Sequence, residues 1–409
     1  AVSTTDFNSG IQAPGKGTNT FKISADADIK GLAGTTSASS ASTSEGTANA
    51  FTTLTDSAGI TDVTSLKVGG ELSALGQSIN DLSADAESVI GDAVGQSQLS
   101  DHIYGSDADN IKVSSDAQIQ GLAQLSNIAD SATTEGASTA TADVSHLHGA
   151  WLDDLKVGGV ASITGQASSE NKGSAETVVG TSLADAYSDE ITGLSTDNTK
   201  VASDAQLTGL SNLDLLASAQ STSGGNADAE SVIDDSYGAD LYDLKVGGVA
   251  NIGGQSTTNS GAQAVNVEGD AKAYEDTDDS YGLDASQIKV ASDATLQGIV
   301  DATSSASAST TKGKAVAFGE VDDAIGADLY STKVGGIASV TGQVSADGSA
   351  SAETVVGDAE AFYEVDDNDG LDAGSIDVAS DAQLTGLSNL DVLASAQSTS
   401  GGNADAESV

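Results

Sequence analysis

The stretch "DLKVGGVASITGQ" at residues 154–166 returns as "DLKVGGVANIGGQ" at residues 243–255. Its Lys-Val step recurs at Lys67, Lys112, Lys156, Lys200, Lys245, Lys289 and Lys333, with Lys22-Ile23 before them and Asp377 in the ninth place. The intervals are 45, 45, 44, 44, 45, 44, 44 and 44 residues, which chance does not produce and which marks a repeat architecture. Leu155, Val157, Val160 and Ile163 alternate with small or polar residues, and a glycine pair sits where the alternation slips. That is the pattern of a half-buried strand broken by a bulge or bend.

Two kinds of repeat take turns. One reads "KVSSDAQIQGL", "KVASDAQLTGL" or "KVASDATLQGI" from Lys112, Lys200 and Lys289; the other reads "KVGGVASITGQ", "KVGGVANIGGQ" or "KVGGIASVTGQ" from Lys156, Lys245 and Lys333. The higher-order unit is therefore about 88 residues. Residues 201–232 also recur at 378–409 with one change, Leu215 to Val392, a sign of recent duplication. The chain divides into an N-terminal segment, 1–21, read as a cap or donated strand, and repeats at 22–66, 67–111, 112–155, 156–199, 200–244, 245–288, 289–332 and 333–376, with an incomplete ninth at 377–409.

Glycine, serine, threonine and β-branched residues disfavour helix, and no 3.6-residue apolar stripe is sustained. Gly224-Gly225 and Asp347-Gly348 each lie between alternating arms and read as hairpin turns. A short repeat with small core residues and few aromatics cannot close a core alone, whereas stacked coils bury one core between neighbours. The expectation is an all-β, elongated, β-solenoid-like stack of 44-residue repeats. With about 22 residues per coil it would be a rod of order 90 Å. Tandem β-sandwiches of about 88 residues are the alternative.

The charge is -47, aromatics are 3%, and the fourteen basic residues are all lysine. Few aromatics with high charge usually mean disorder, but 38% of residues are apolar, many of them Val, Leu and Ile at regular spacing. Such acidity excludes nucleic acid as a partner, since binding there rests on lysine and arginine against phosphates. It suits salty water and divalent cations. There is no cysteine, hence no disulfide or thiolate site, and no apolar run long enough for membrane insertion. Ala1 opens the chain without a leader-like segment, which reads as a matured form or a window on a longer polypeptide.

The most specific constellation precedes the lysine. "DDSYGAD", "DDSYGLD", "DDAIGAD" and "DDNDGLD" supply Asp234, Asp235 and Asp240; Asp278, Asp279 and Asp284; Asp322, Asp323 and Asp328; and Asp366, Asp367 and Asp372. Calcium takes six to eight oxygens, often from a glycine-bent loop with several carboxylates, so these twelve residues are candidate calcium ligands. The competing reading is an Asx-type turn in which the carboxylates bond nearby backbone. Gly238, Gly282, Gly326 and Gly370 lie seven residues before the lysine position, a spacing kept by Gly105, Gly149 and Gly193.

Equivalent lysines would form a row along the stack, and neighbouring aspartates would interleave with them as an ion-pair ladder that fixes register. His146 and His148, two apart, point to one face of a strand and could hold a metal. With His102 they are the only histidines. As a local pair without a third ligand they read better as surface residues of one irregular loop. Trp151 and the tyrosines are expected to cap the core near the inter-repeat loops. No serine-nucleophile elbow or phosphate loop occurs, and a chain without arginine lacks the basic groups a lyase groove needs, so no enzyme is expected.

The "LKVGGVASITGQ" and "IKVASDATLQG" units resemble the β-rich repeats of long fibrous surface proteins, namely phage tail-fibre shafts, including those of cyanophages, and bacterial extracellular fibre or adhesin repeats. The resemblance covers the chain from residue 22 onward and implies an extended scaffold. The expected function is a structural subunit of an acidic extracellular filament or surface fibre, whose partners are other copies of itself. The alternative is an adhesin or virion fibre that grips a glycan or cell-surface receptor through its loops.

Overall fold

A computed structural model describes residues 1–12 and 21–409. All regular structure among them is strand, and every strand pairing is parallel. One coil of the stack is the whole 44-residue repeat. Starting at Lys156–Val157 in a narrow ridge sheet, the chain turns into Ala161–Val179 in a broad front sheet. It then turns at Gly180 into Ser182–Asp197 in a broad back sheet, and returns to the ridge at Lys200. Each residue sits on its counterpart one repeat away: Lys156 on Lys200, Ala161 on Ala205, Ser182 on Ala227. Among the described residues, the ridge and front sheets have nine strands each and the back sheet thirteen, all three running the length of the stack.

Continuous sheets exclude a string of sandwiches and establish the solenoid. They also correct the expected dimensions. With 44 residues per coil instead of 22, nine coils rise only about 40 Å, while a 19-residue strand spans about 60 Å. The molecule is a broad slab, wider than it is tall.

The two hairpins are not formed. Gly224, with φ of 80°, is at the corner between Ala205–Ser223 of the front sheet and Ala227–Tyr242 of the back sheet. Asp347 and Gly348 lie inside the front strand Ala338–Val356. Gly348 is there because the ring of Tyr363 fills its space: a Cβ would stand 2.1 Å from that ring. Tyr363 is fully buried, so this tyrosine is part of the core and does not cap a loop.

A glycine waist divides the core. Gly165 of the front strand faces Gly193 of the back strand so closely that a Cβ on Gly165 would stand 2.0 Å from the Gly193 carbonyl oxygen. One on Gly193 would stand 2.2 Å from the Leu210 nitrogen. The same contact recurs at Gly121 with Gly149, Gly209 with Gly238, and Gly254 with Gly282, which gives the glycines seven residues before Lys156, Lys200, Lys245 and Lys289 their purpose. On the ridge side of the waist, three sheets enclose Leu, Ile and Val, as at Leu155, Val157, Ile163 and Leu194. On the far side, two facing sheets close on alanine, as at Ala167, Ala175, Ala184 and Ala186. Polar core residues bond one another along the stack: Asn127 Nδ2 donates to Asn171 Oδ1 at 3.0 Å, and Ser236 pairs with Ser211 and Ser256.

The corners explain the 88-residue unit. Asp116 Oδ1 accepts from the Val160 N–H of the next coil at 2.8 Å, as Asp204 does from Val249 and Asp293 from Ile337. The carboxylate occupies the space of a side chain in the coil it caps: a Cβ on Gly159, Gly248 or Gly336 would stand 2.0 to 2.1 Å from that oxygen. A Ser-Asp coil therefore requires a Gly-Gly coil after it. At the other corner the roles reverse, with Asp270 accepting from Lys314 N–H at 2.8 Å and Asp358 from Asn403 N–H at 2.8 Å.

Of the N-terminal segment, Val2–Gln12 lies parallel to Ala48–Thr64 and extends the back sheet beside the first coil. Residues 13–20, including Pro14, fall outside the described residues.

Candidate functional site

The twelve aspartates lie on the back sheet, close to the waist. In Ala227–Tyr242 the inward positions run Ala229, Ser231, Ile233 and then Ser236, so Asp234 and Asp235 are the extra step of a bulge and neither enters the core. In the next three coils the strand breaks at the aspartate pair, giving Ala271–Thr277 and Ser280–Ser286, then Ala315–Val321 and Ala324–Tyr330, then Ala359–Val365 and Asp369–Ala373. The first carboxylate of each broken pair accepts the N–H of the second: Asp278 from Asp279 at 3.2 Å, Asp322 from Asp323 at 3.0 Å, Asp366 from Asp367 at 3.1 Å. Asp323 and Asp367 take left-handed φ values of 35° and 28°. These are the local bonds of the turn reading.

Stacking turns the loops into columns. Asp240, Asp284, Asp328 and Asp372 are in register from coil to coil. Asp279 lies near enough to Asp235 to feel its charge, and Asp323 near enough to Asp279 and Asp367. Between these columns the Tyr237 and Tyr281 rings stack at 5.2 Å, and their hydroxyls donate to Asp235 and Asp279 at 3.3 and 3.4 Å. Burial, then the repulsion of Asp240 and Asp328, pushes Asp284 up to about 7. Burial and Glu190 push Asp240 up to about 6, and burial with Asp322 and Asp279 does the same to Asp323. Asp235, Asp278, Asp279 and Asp328 are also raised, burial being the first cause in each.

The three aspartates of one loop do not converge on a point. Among the described residues, the trio whose ligand atoms lie within 4.8 Å of one another is Asp109, Asp153 and Asp154. It is assembled from two successive coils at the corner before the ridge, so no single loop in the sequence announces it.

The lysines do form a column, from Lys22 through Lys333 in register, along a shallow groove of about 900 Å³ on the ridge. Their partners are not the aspartates of the bulge. Lys245 meets Asp243 at 2.5 Å, Lys156 meets Asp154 at 3.7 Å, and Lys333 meets Asp377 of the next coil at 3.8 Å. Lys200 Nζ donates to the side-chain Oδ1 of Asn198 at 2.7 Å.

His102, His146 and His148 come together on the outer side of the back sheet, beyond the end of the aspartate columns. His102, His146, Glu190 and Asp235 occupy one register position in four successive coils. Adjacency of His102 and Glu190 to the histidine pair was hidden in the sequence by separations of one full repeat; the repeat register is the signal that finds them. Comparison with known proteins found no matching family model, no matching curated protein and no matching solved structure.

Proposed function

We propose that this chain is a structural subunit of an acidic extracellular or cell-surface fibre, assembling with other copies of itself and performing no catalysis. The observation that carries this reading is the unbroken in-register stack: eight full coils and part of a ninth, joined by the same backbone ladder in three sheets. Such an array lengthens by adding coils without altering its core. The edge of a parallel ladder pairs readily with another of its kind, so copies can join by the same ladder that joins coils within one copy. Electron microscopy and light scattering of the purified chain test assembly. Rods or filaments longer than one stack are expected; a sample that stays monodisperse and monomeric at high concentration refutes the reading.

Calcium belongs to the same proposal. The carboxylate columns fit hard cations that bridge successive coils, each taking oxygens from two or more coils rather than from one loop. Like charges held at strand spacing favour protonation or a bound cation; Asp284 is raised first by burial and then by its column neighbours Asp240 and Asp328.

A further inference from the structure

His146 and His148 stand on one outward face of the back strand Ser138–Asp153, separated by the inward Leu147. In the next coil Glu190 is in register with His146. Its two carboxylate oxygens reach toward both rings: Oε2 is 4.0 Å from His146 Nε2, and Oε1 is 3.9 Å from His148 Nδ1. Asp189 Oδ2 lies 3.9 Å from the same His146 nitrogen. From the preceding coil the His102 ring stacks on His146 at 4.5 Å and lies 5.9 Å from His148. Three successive coils thus bring all three imidazoles of the chain and a carboxylate into one patch.

His148 supplies a second, independent observation. Its side chain is only 1% exposed, walled by Tyr104 stacked at 5.2 Å and by the edge contact of Trp151 at 4.8 Å. Yet Nδ1 of this buried ring has no hydrogen-bond partner, nor has Nδ1 of His146. Buried polar nitrogens in native proteins are normally satisfied.

We propose that His146, His148 and Glu190 bind one zinc-class divalent ion, with His102 at its margin, and that this ion clips two successive coils together. Two imidazoles and one carboxylate are an established donor set for zinc and related metals. Calcium, which prefers oxygen, would not select such a site. With ligand bonds of about 2.1 Å, the donors of a tetrahedral site stand about 3.4 Å apart. The present separations of 3.9 and 4.0 Å are wider than that, and the three donors do not yet meet within 4.8 Å of one another; closing the site requires the partly exposed His146 and Glu190 side chains to rotate and Glu190 Oε1 to give up the Thr192 hydroxyl that donates to it at 3.1 Å.

The test must separate this site from the many carboxylates that take up any divalent ion. Zinc chloride is titrated calorimetrically into the full chain in millimolar calcium, which occupies oxygen-only sites. Cobalt(II) is then used as a spectroscopic probe of imidazole ligation. The expected result is one zinc equivalent that survives calcium, a cobalt visible band, and at least a tenfold weaker zinc affinity in both His146→Asn and Glu190→Gln. These two side chains are partly exposed, and circular dichroism confirms that the variants are folded. Loss of all zinc uptake in calcium overturns the proposal, as does unchanged zinc affinity in the two folded variants.

Discussion

Removing one coil from the middle of the stack should do more harm than removing two. Deleting residues 246–289 joins Lys245 directly to Val290, so that the coil of Lys200 is followed at once by a second Ser-Asp coil. Asp204 then loses the Val249 N–H that it accepts at 2.8 Å, and Ser292 arrives where Gly248 stood. A Cβ at Gly248 would lie 2.1 Å from Asp204 Oδ1, so the carboxylate is expelled and comes to stand beside Asp293. At the opposite corner the Lys314 N–H loses Asp270, its acceptor at 2.8 Å. Two charge-assisted hydrogen bonds at roughly 1.5–3 kcal/mol each make the penalty about 3–6 kcal/mol before the clash is counted. Deleting residues 246–333 removes a complete pair and sets Asp204 against Gly336 and the Ile337 N–H, a pairing of the native kind. Urea unfolding followed by circular dichroism compares the two. The shorter, pair-deleted chain should have the higher midpoint; a single-coil deletion that is equally or more resistant would refute the Asp-to-Gly alternation as the stacking rule.

Gly165→Ala puts a Cβ 2.0 Å from backbone at the waist and should destabilise by at least about 3 kcal/mol, whereas Gly253→Ala, with nothing within 4 Å of its Cβ, should be near neutral; thermal melts of both decide. Because Asp240, Asp284 and Asp323 are raised in the folded chain, their favourable contribution is full below about pH 4 and is lost as pH rises through 7. The melting temperature should therefore fall from pH 5 to pH 8. Asp284→Asn should flatten that fall, recovering on the order of 4 kcal/mol at most, since Asp284 moves from 3.8 to about 7. Calcium added to chelated protein should raise the melting temperature at pH 8 more than at pH 5, where protonation has already relieved the columns; an equal or absent effect at both would remove calcium from the aspartate bands.

The period, the strand character, the all-β stack and the alternation of two repeat types were legible in the sequence, because each depends on residue order alone. The Lys-Val step keeps its place in every coil, and parallel in-register pairing demands that constancy. Coil size was not legible: an alternating run of 19 residues gives no sign of whether it folds back at Gly348 or continues straight, and only the Tyr363 ring over Gly348 shows why glycine stands there. The spacing of the waist glycines was plain, but their purpose required knowing that Gly165 meets Gly193 across two sheets. Likewise the aspartates looked like members of single loops, while the structure groups them by column, Asp240 with Asp284 and Asp328. Distances along the chain set the local turn. Which carboxylate or imidazole meets which is decided by stacking, since residues a full repeat apart in sequence become neighbours at one strand spacing.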